Sequence, residues 1–507
     1  MRAGLIRAMA VLAMAGMAFG CSSGDDDAPE EGRSTTVTTA QQEGPAAEFG
    51  EPLDGGEGVR LATAGGGPSL DDAGFTEAEY AASGTATSYT SAGELPTDGT
   101  YDLQPGEEAD YATRVLVRRP ADADDFNGTL VVEWLNVSSG ADAAPDYTYL
   151  ADELLREGYA WAGVSAQKIG VEGGEVAVSV PGAEAAAAGL GKGLRALDPE
   201  RYGDLHHPGD AFSYDIYTQV GRALRSTGDG TPLDGLGVDR VLAVGESQSA
   251  FALTTYLNGV QPLSGAYDGF LIHSRGGASA PLGEPGEGIE IAGTIGGKPT
   301  TIRADNEAPT IIVQTESDVL GLLGYYPARQ DDDENLRLWE VAGTAHADKF
   351  QVGDTEETLG CAQPINRGQQ AYVLRAALRH LDTWVADGTA PPEAPRLDVD
   401  EAGTAFVLDE VGNVTGGVRT PAVDAPVDVL SGIPASDATI ICLLMGSTTP
   451  IPDDELATLY ASQDEYVTAY EDATDAMIDA GFALDDDRDQ LLAESQPDRV
   501  AGAAAQG

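Results

Sequence analysis

Positive charge is scarce in this chain: 28 Lys and Arg stand against 84 Asp and Glu, a formal net charge of −56 over 507 residues. So acidic a surface repels phosphate backbones and anionic headgroups, which excludes nucleic acid and acidic membrane surface as partners. Cysteine is rarer still, with Cys21, Cys361 and Cys442 alone. No cysteine or histidine cluster has metal-ligand spacing and no glycine-rich phosphate loop is present, so neither metal nor cofactor is expected. Long apolar runs are also missing. The longest near the start, Val11 to Phe19, is too short to span a bilayer. Elsewhere the apolar runs are strand-length and lie between amphipathic stretches, the pattern of one large α/β domain.

What is there begins with a signal peptide. Arg2 and Arg7 supply its positive start, Val11–Phe19 its apolar middle, and Ala18-Phe19-Gly20-Cys21 its lipobox-like end. Residues 1–21 read as a lipoprotein signal ending at Cys21, the expected lipidation site, with ordinary secretion as the alternative. The expected locations are the membrane or cell surface, held by this anchor alone. Residues 22–50 read as a disordered acidic tether, 51–394 as the main α/β domain, and 395–507 as a C-terminal extension packed on it. In an exported, oxidising setting Cys361 and Cys442 can pair, or remain two buried thiols.

Strand and helix alternate after residue 129, the signature of a parallel sheet. Expected strands are Tyr80–Tyr89, Tyr111–Val117, Gly128–Leu135, Tyr159–Ala166, Val238–Glu246, Tyr267–Ser274, Thr310–Thr315 and Leu336–Val341. Expected helices include Tyr147–Glu157, Asp215–Arg225 and Gln369–Ala386, the last with a core stripe of Leu374, Ala377, Leu378, Leu381 and Val385. Two Gly- and Pro-rich insertions, Gly170–Asp210 and Gly276–Asp305, leave the C-terminal side of the sheet and are placed to roof a site there. A hairpin is expected with its turn near Glu410–Asn413.

One apolar run ends in a reactive-looking turn, Val241-Leu242-Ala243-Val244-Gly245-Glu246-Ser247-Gln248-Ser249. A serine hydroxyl is a poor nucleophile unless held clear of the fold beside a base. A sharp strand-to-helix turn holds it so, and needs small residues two before and two after. Gly245 and Ser249 fill those places around Ser247.

Histidine supplies the base, and there are five. His380 lies in an expected helix, His273 in a strand as a satisfied buried imidazole, and His206 and His207 in a loop. His346 alone follows a late strand, among small residues. The acid is Asp318, just past Thr310–Thr315, with Glu316 as the alternative. The order Ser, Asp, His is that of α/β hydrolases. Oxyanion donors are expected from the N–H of Gln248 and from Asn136 or Val137 after the strand ending at Leu135.

Longer motifs carry a family resemblance: Glu133-Trp134-Leu135-Asn136-Val137, Asp198–Tyr202, Tyr214–Tyr217, Gly245–Ser249, Thr315–Val319, Trp339–Asp348, Asn366–Gly368 and Gly446–Thr449. Over about residues 55 to 490 the chain resembles a bacterial family of alpha/beta hydrolase domain proteins. The resemblance implies an α/β-hydrolase fold, mostly parallel with flanking helices, and places nucleophile, acid and base on Ser247, Asp318 and His346. The expected function is cleavage of a small-molecule carboxylic ester through an acyl-enzyme. The alternatives are an acyltransferase, or a surface lipoprotein using the scaffold as a non-catalytic binding module.

Overall fold

Runs of five to seven residues rich in Val, Ile, Leu and Trp, buried along nearly their whole length, form the inner strands of a nine-stranded sheet. The computed structural model describes residues 44–63, 67–177, 191–226, 230–289, 291–434 and 439–504. The expected signal segment 1–21, Cys21 and most of the tether lie outside the described residues. The strands are β1 (Glu48–Pro52), β2 (Phe75–Ser91), β3 (Leu103–Pro120), β4 (Thr129–Trp134), β5 (Ala160–Val164), β6 (Arg240–Glu246), β7 (Gly269–His273), β8 (Thr310–Thr315) and β9 (Leu336–Val341). Their spatial order is β1-β2-β3-β5-β4-β6-β7-β8-β9. From β5 to β9 every pairing is parallel, while β1, β2 and β3 add an antiparallel edge.

Two expectations shift at this edge. The short strands expected at Tyr80–Tyr89 and Tyr111–Val117 are arms of 17 and 18 residues. Exposed charged residues such as Glu77 and Glu108 lengthen them beyond the apolar stretches, because an antiparallel arm may keep one face in water. The boundary drawn at 50/51 falls inside β1, and Ala47 is already buried, its N–H on the carbonyl of Gln219. Ordered structure therefore begins within the span read as tether.

Alternate residues of β6 face opposite layers. Val241 and Ala243 join one apolar cluster with α2 (Ser213–Arg225) and α3 (Gln248–Thr255), while Leu242 and Val244 join another with α1 (Pro145–Arg156) and α4 (Gln370–Asp387). Burial on both faces explains the continuous hydrophobic run. In α4 the stripe of Leu374, Ala377, Leu378 and Leu381 is buried against the sheet and Val385 is half-buried. Because β5 and β6 lie on opposite sides of β4, the chain leaves the β4–β6 crevice in both directions, where open α/β sheets place their ligands.

Residues after 394 belong to the same compact unit, Ala40–Gly507. Met477, Ala483 and Leu491 fill the core under α4, and Tyr460, Tyr466 and Tyr470 pack together around α5 (Gln463–Asp479). The chain turns at Asp409–Asn413, between Leu408 and its bridge partner Val414. Cys361 and Cys442 are disulfide-bonded, Cα atoms 5.6 Å apart across 81 residues of sequence. Cys442 packs with Ala347 and Met445, so the bridge braces the segment that follows β9. Closing so long a loop stabilises by about 4.5 kcal/mol in the chain-entropy account. Replacing both cysteines with serine is expected to remove about that much unfolding free energy in a denaturant titration. An unmoved midpoint would mean the bond contributes nothing to the native state.

Candidate active site

At the end of β6 the chain turns sharply at Ser247, whose φ of 58° and ψ of −117° lie outside the regions open to most L-residues. A Cβ added at Gly245 would lie 2.9 Å from Cδ1 of Leu253 and 3.0 Å from Cβ of Ser249. Strand and helix thus approach too closely for larger residues at either position. Within Val241–Ala250 Ser247 alone is not fully buried. Its N–H donates to the carbonyl of His273 at 3.0 Å, which fixes the turn to the neighbouring strand.

Two loops converge on its hydroxyl. Nε2 of His346 lies 2.8 Å from Oγ of Ser247, and Nδ1 of the same ring lies 2.7 Å from Oδ1 of Asp318. The other Asp318 oxygen accepts the N–H and hydroxyl of Thr315, at 2.8 and 2.7 Å, so the helical turn Glu316–Val319 is capped by the residue that orients the imidazole. Burial pushes the Asp318 carboxyl up, but the adjacent imidazole and these hydrogen bonds outweigh it and hold the group below the usual carboxylate range. For His346 burial acts downward, and the charges of Glu246 and Asp318 reverse it, leaving the ring above its ordinary value. This arrangement can deprotonate a hydroxyl and hold the resulting imidazolium.

Glu316, the alternative acid, is turned elsewhere. Its two carboxyl oxygens accept the N–H groups of Gly343 at 2.6 Å and Gly432 at 2.8 Å, and burial pushes it up to about 7 against those bonds. It staples the β9 loop to the C-terminal region and does not touch the ring. Asn136 is likewise corrected as an oxyanion donor, since its N–H is spent on the carbonyl of Ala143 at 2.9 Å. Val137 remains, its N–H 3.2 Å from the side-chain oxygen of Gln248. The N–H of Gln248 itself opens α3, where no intrahelical acceptor exists.

Beside Val137 and Gln248 lies a cleft of about 500 Å³. Both insertions wall it, the first with Gly173–Ala177 and Asp210, the second with Glu287–Ile289, and Lys168 stands at its side. Residues 178–190 of the first insertion lie outside the described residues.

The imidazoles of three other histidines bond elsewhere. His380 holds the carbonyl of Gly481 and His207 that of Ala166, while His206 is exposed. His273 is buried with Nδ1 2.9 Å from Asp146, but Nε2 has no partner among the described residues, so it is half satisfied where full satisfaction is expected. One residue was missed in sequence: Glu246, whose Oε1 is 3.2 Å from Nε2 of His346. Its signal is a carboxylate closing a strand that is apolar on both faces. Among the described residues no group of three or more His, Cys, Asp or Glu is placed to hold a metal ion, and no helix is long and apolar enough to cross a membrane.

Comparison with known proteins places these observations. Residues 44–493 match the family described as alpha/beta hydrolase domain. No curated protein matches the chain. Similar solved structures include a putative dienelactone hydrolase from Klebsiella pneumoniae subsp. pneumoniae, 13% identical, with 61% of this chain and 99% of that one covered at a TM-score of 0.28. A fungal esterase from Rhizomucor miehei is 10% identical, with 61% and 85% covered at 0.29. A serine hydrolase from Xanthomonas campestris described as having no lid is 12% identical, with 51% and 83% covered at 0.25. With a family match across nearly the whole chain, and a mostly parallel nine-stranded sheet flanked by helices on both faces, the chain belongs to the alpha/beta hydrolase domain family.

Proposed function

We propose that the protein is an exported serine hydrolase that cleaves small-molecule carboxylic esters. The observation that carries this reading is the unbroken hydrogen-bonded chain from Asp318 through His346 to Ser247, with Ser247 accessible at a strained turn. Ser247 Oγ attacks the ester carbonyl as His346 Nε2 takes its proton. Asp318 accepts the Nδ1–H and holds the tautomer. Charge that develops on the carbonyl oxygen meets the N–H groups of Gln248 and Val137, each worth about 3–4 kcal/mol in such a role. His346 then protonates the leaving alkoxide. Water, deprotonated by the same nitrogen, attacks the acyl-enzyme and releases the acid and free Ser247.

The Gln248 side chain now on Val137 must give way to the oxyanion. Export is supported by the signal-like start and by the Cys361–Cys442 bond, which persists in oxidising compartments. The cleft mixes Lys168, Asp210 and Glu287 with a few aliphatic residues, which favours short or polar acyl groups over long chains. The purified full-length protein is expected to react with a fluorophosphonate at Ser247 and to turn over p-nitrophenyl acetate or butyrate at least about 10-fold faster than the laurate. Folded protein that neither labels nor turns over any ester overturns the reading.

A further inference from the structure

The imidazole of His346 has a carboxylate at each end. Asp318 meets Nδ1, whereas Glu246 Oε1 lies 3.2 Å from Nε2, the nitrogen that also faces Ser247 at 2.8 Å. Nothing in the acyl-transfer steps above uses Glu246. Its position is built: it closes β6, it is buried, and the Nδ2 of Asn136 donates to both its carbonyl, at 3.1 Å, and its Oε2, at 3.4 Å. Asn136, set aside as an oxyanion donor, thereby has a place in the site.

Behind Glu246 stands its register partner on β7, His273, tied through Nδ1 to Asp146 of α1 and with Nε2 unpartnered among the described residues. The titratable groups that bear on Glu246 are thus His346 after β9, His273 on β7, Asp146 and Tyr149 on α1, and Asp318 after β8. A carboxyl so enclosed pays heavily for its charge, and burial lifts it to about 7 even against the two imidazoles. Such a group gains little for the fold as an ion pair.

We propose that Glu246 is a positioning residue that acts through His346, holding the Nε2 proton of the ring between its transfer from Ser247 and its delivery to the leaving group. The proposal rests on the Ser247–His346–Asp318 reading above. When Ser247 attacks, its proton arrives on Nε2 as the oxygen bonds to carbon. The ring is then a cation with Asp318 and Glu246 on opposite nitrogens. Glu246 steadies the imidazolium and limits its rotation away from the leaving oxygen, but takes no proton itself. In the free enzyme Glu246 is ionised above about pH 7, and where it is ionised its charge favours the protonated ring, so the acid limb of kcat/KM stands higher than Asp318 alone would set it.

The test is the pH profile of kcat/KM for the full chain and for Glu246→Gln, with fluorophosphonate labelling in parallel. In the variant the acid limb is expected to move down by about one pH unit, the scale of removing a charge at this distance, and the plateau to fall by about tenfold or more. A packing role alone would lower the plateau and leave the limb in place, so an unmoved limb in a labelled, folded variant overturns the proposal. Should Glu246→Gln fail to fold, Glu246→Asp keeps the charge but draws it back. A smaller downward shift supports the proposal and none overturns it. If the unmodified protein itself does not label, the triad reading fails first and this one with it.

Discussion

Ser247→Ala is expected to lower kcat for ester turnover by about 10⁶-fold and to abolish fluorophosphonate labelling. The size follows from the cooperation of the three groups: without the oxygen, an oriented imidazole has no proton to take, and only binding and the oxyanion donors remain. Folding should survive. The side chain is partly exposed and among the described residues bonds only to His346, while the strained φ of 58° is a backbone property that alanine shares. Its stability cost should therefore stay within about 1 kcal/mol. Circular dichroism and a denaturant midpoint check the fold, and labelling checks the chemistry. Persistent labelling of the alanine variant would place the nucleophile on another serine. Ser249 and Ser274 are the nearest in sequence and strand, but both are buried with hydroxyls that meet no base among the described residues.

How far this site was legible in sequence depended on how many faces of each strand are buried. β8 and β9 emerge with the bounds read from sequence, Thr310–Thr315 and Leu336–Val341, because a strand covered on both sides is apolar from end to end. Ser247, Asp318 and His346 stand out in the sequence because each sits just past such a strand. β2 and β3 extend beyond their apolar stretches, since their outer residues alternate with charged, solvated ones. The choice between Asn136 and Val137 depended on which N–H the Ala143 carbonyl consumes, a contact with no trace in composition. Glu246 escaped notice for a related reason: a charged residue at a strand end reads as the strand's termination, and only the fold brings the β9 loop back over it.

Asp318→Asn and Glu316→Gln separate the two candidate acids. In the first, the Thr315 N–H requires an acceptor where Oδ2 now stands. The new amide must keep its oxygen there and turn its NH₂ toward Nδ1 of His346. That nitrogen then becomes an acceptor, its proton moves to Nε2, and the ring presents a donor to Ser247 where a base is needed. A loss of about 10⁴-fold in kcat is expected with the fold intact. Glu316→Gln disturbs a different arrangement. Each Glu316 oxygen accepts one backbone N–H, from Gly343 and from Gly432, and an amide can satisfy one of them only. The expected cost is about 1–3 kcal/mol of stability. Its effect on kcat should be smaller than the roughly 10²-fold that a displaced catalytic group produces, because the loop bearing His346 remains braced by the disulfide and by the Ala347 N–H on the carbonyl of Leu444. A greater kcat loss in Glu316→Gln than in Asp318→Asn would reverse the assignment, since it would require the ring to take its orientation from the carboxylate two residues earlier.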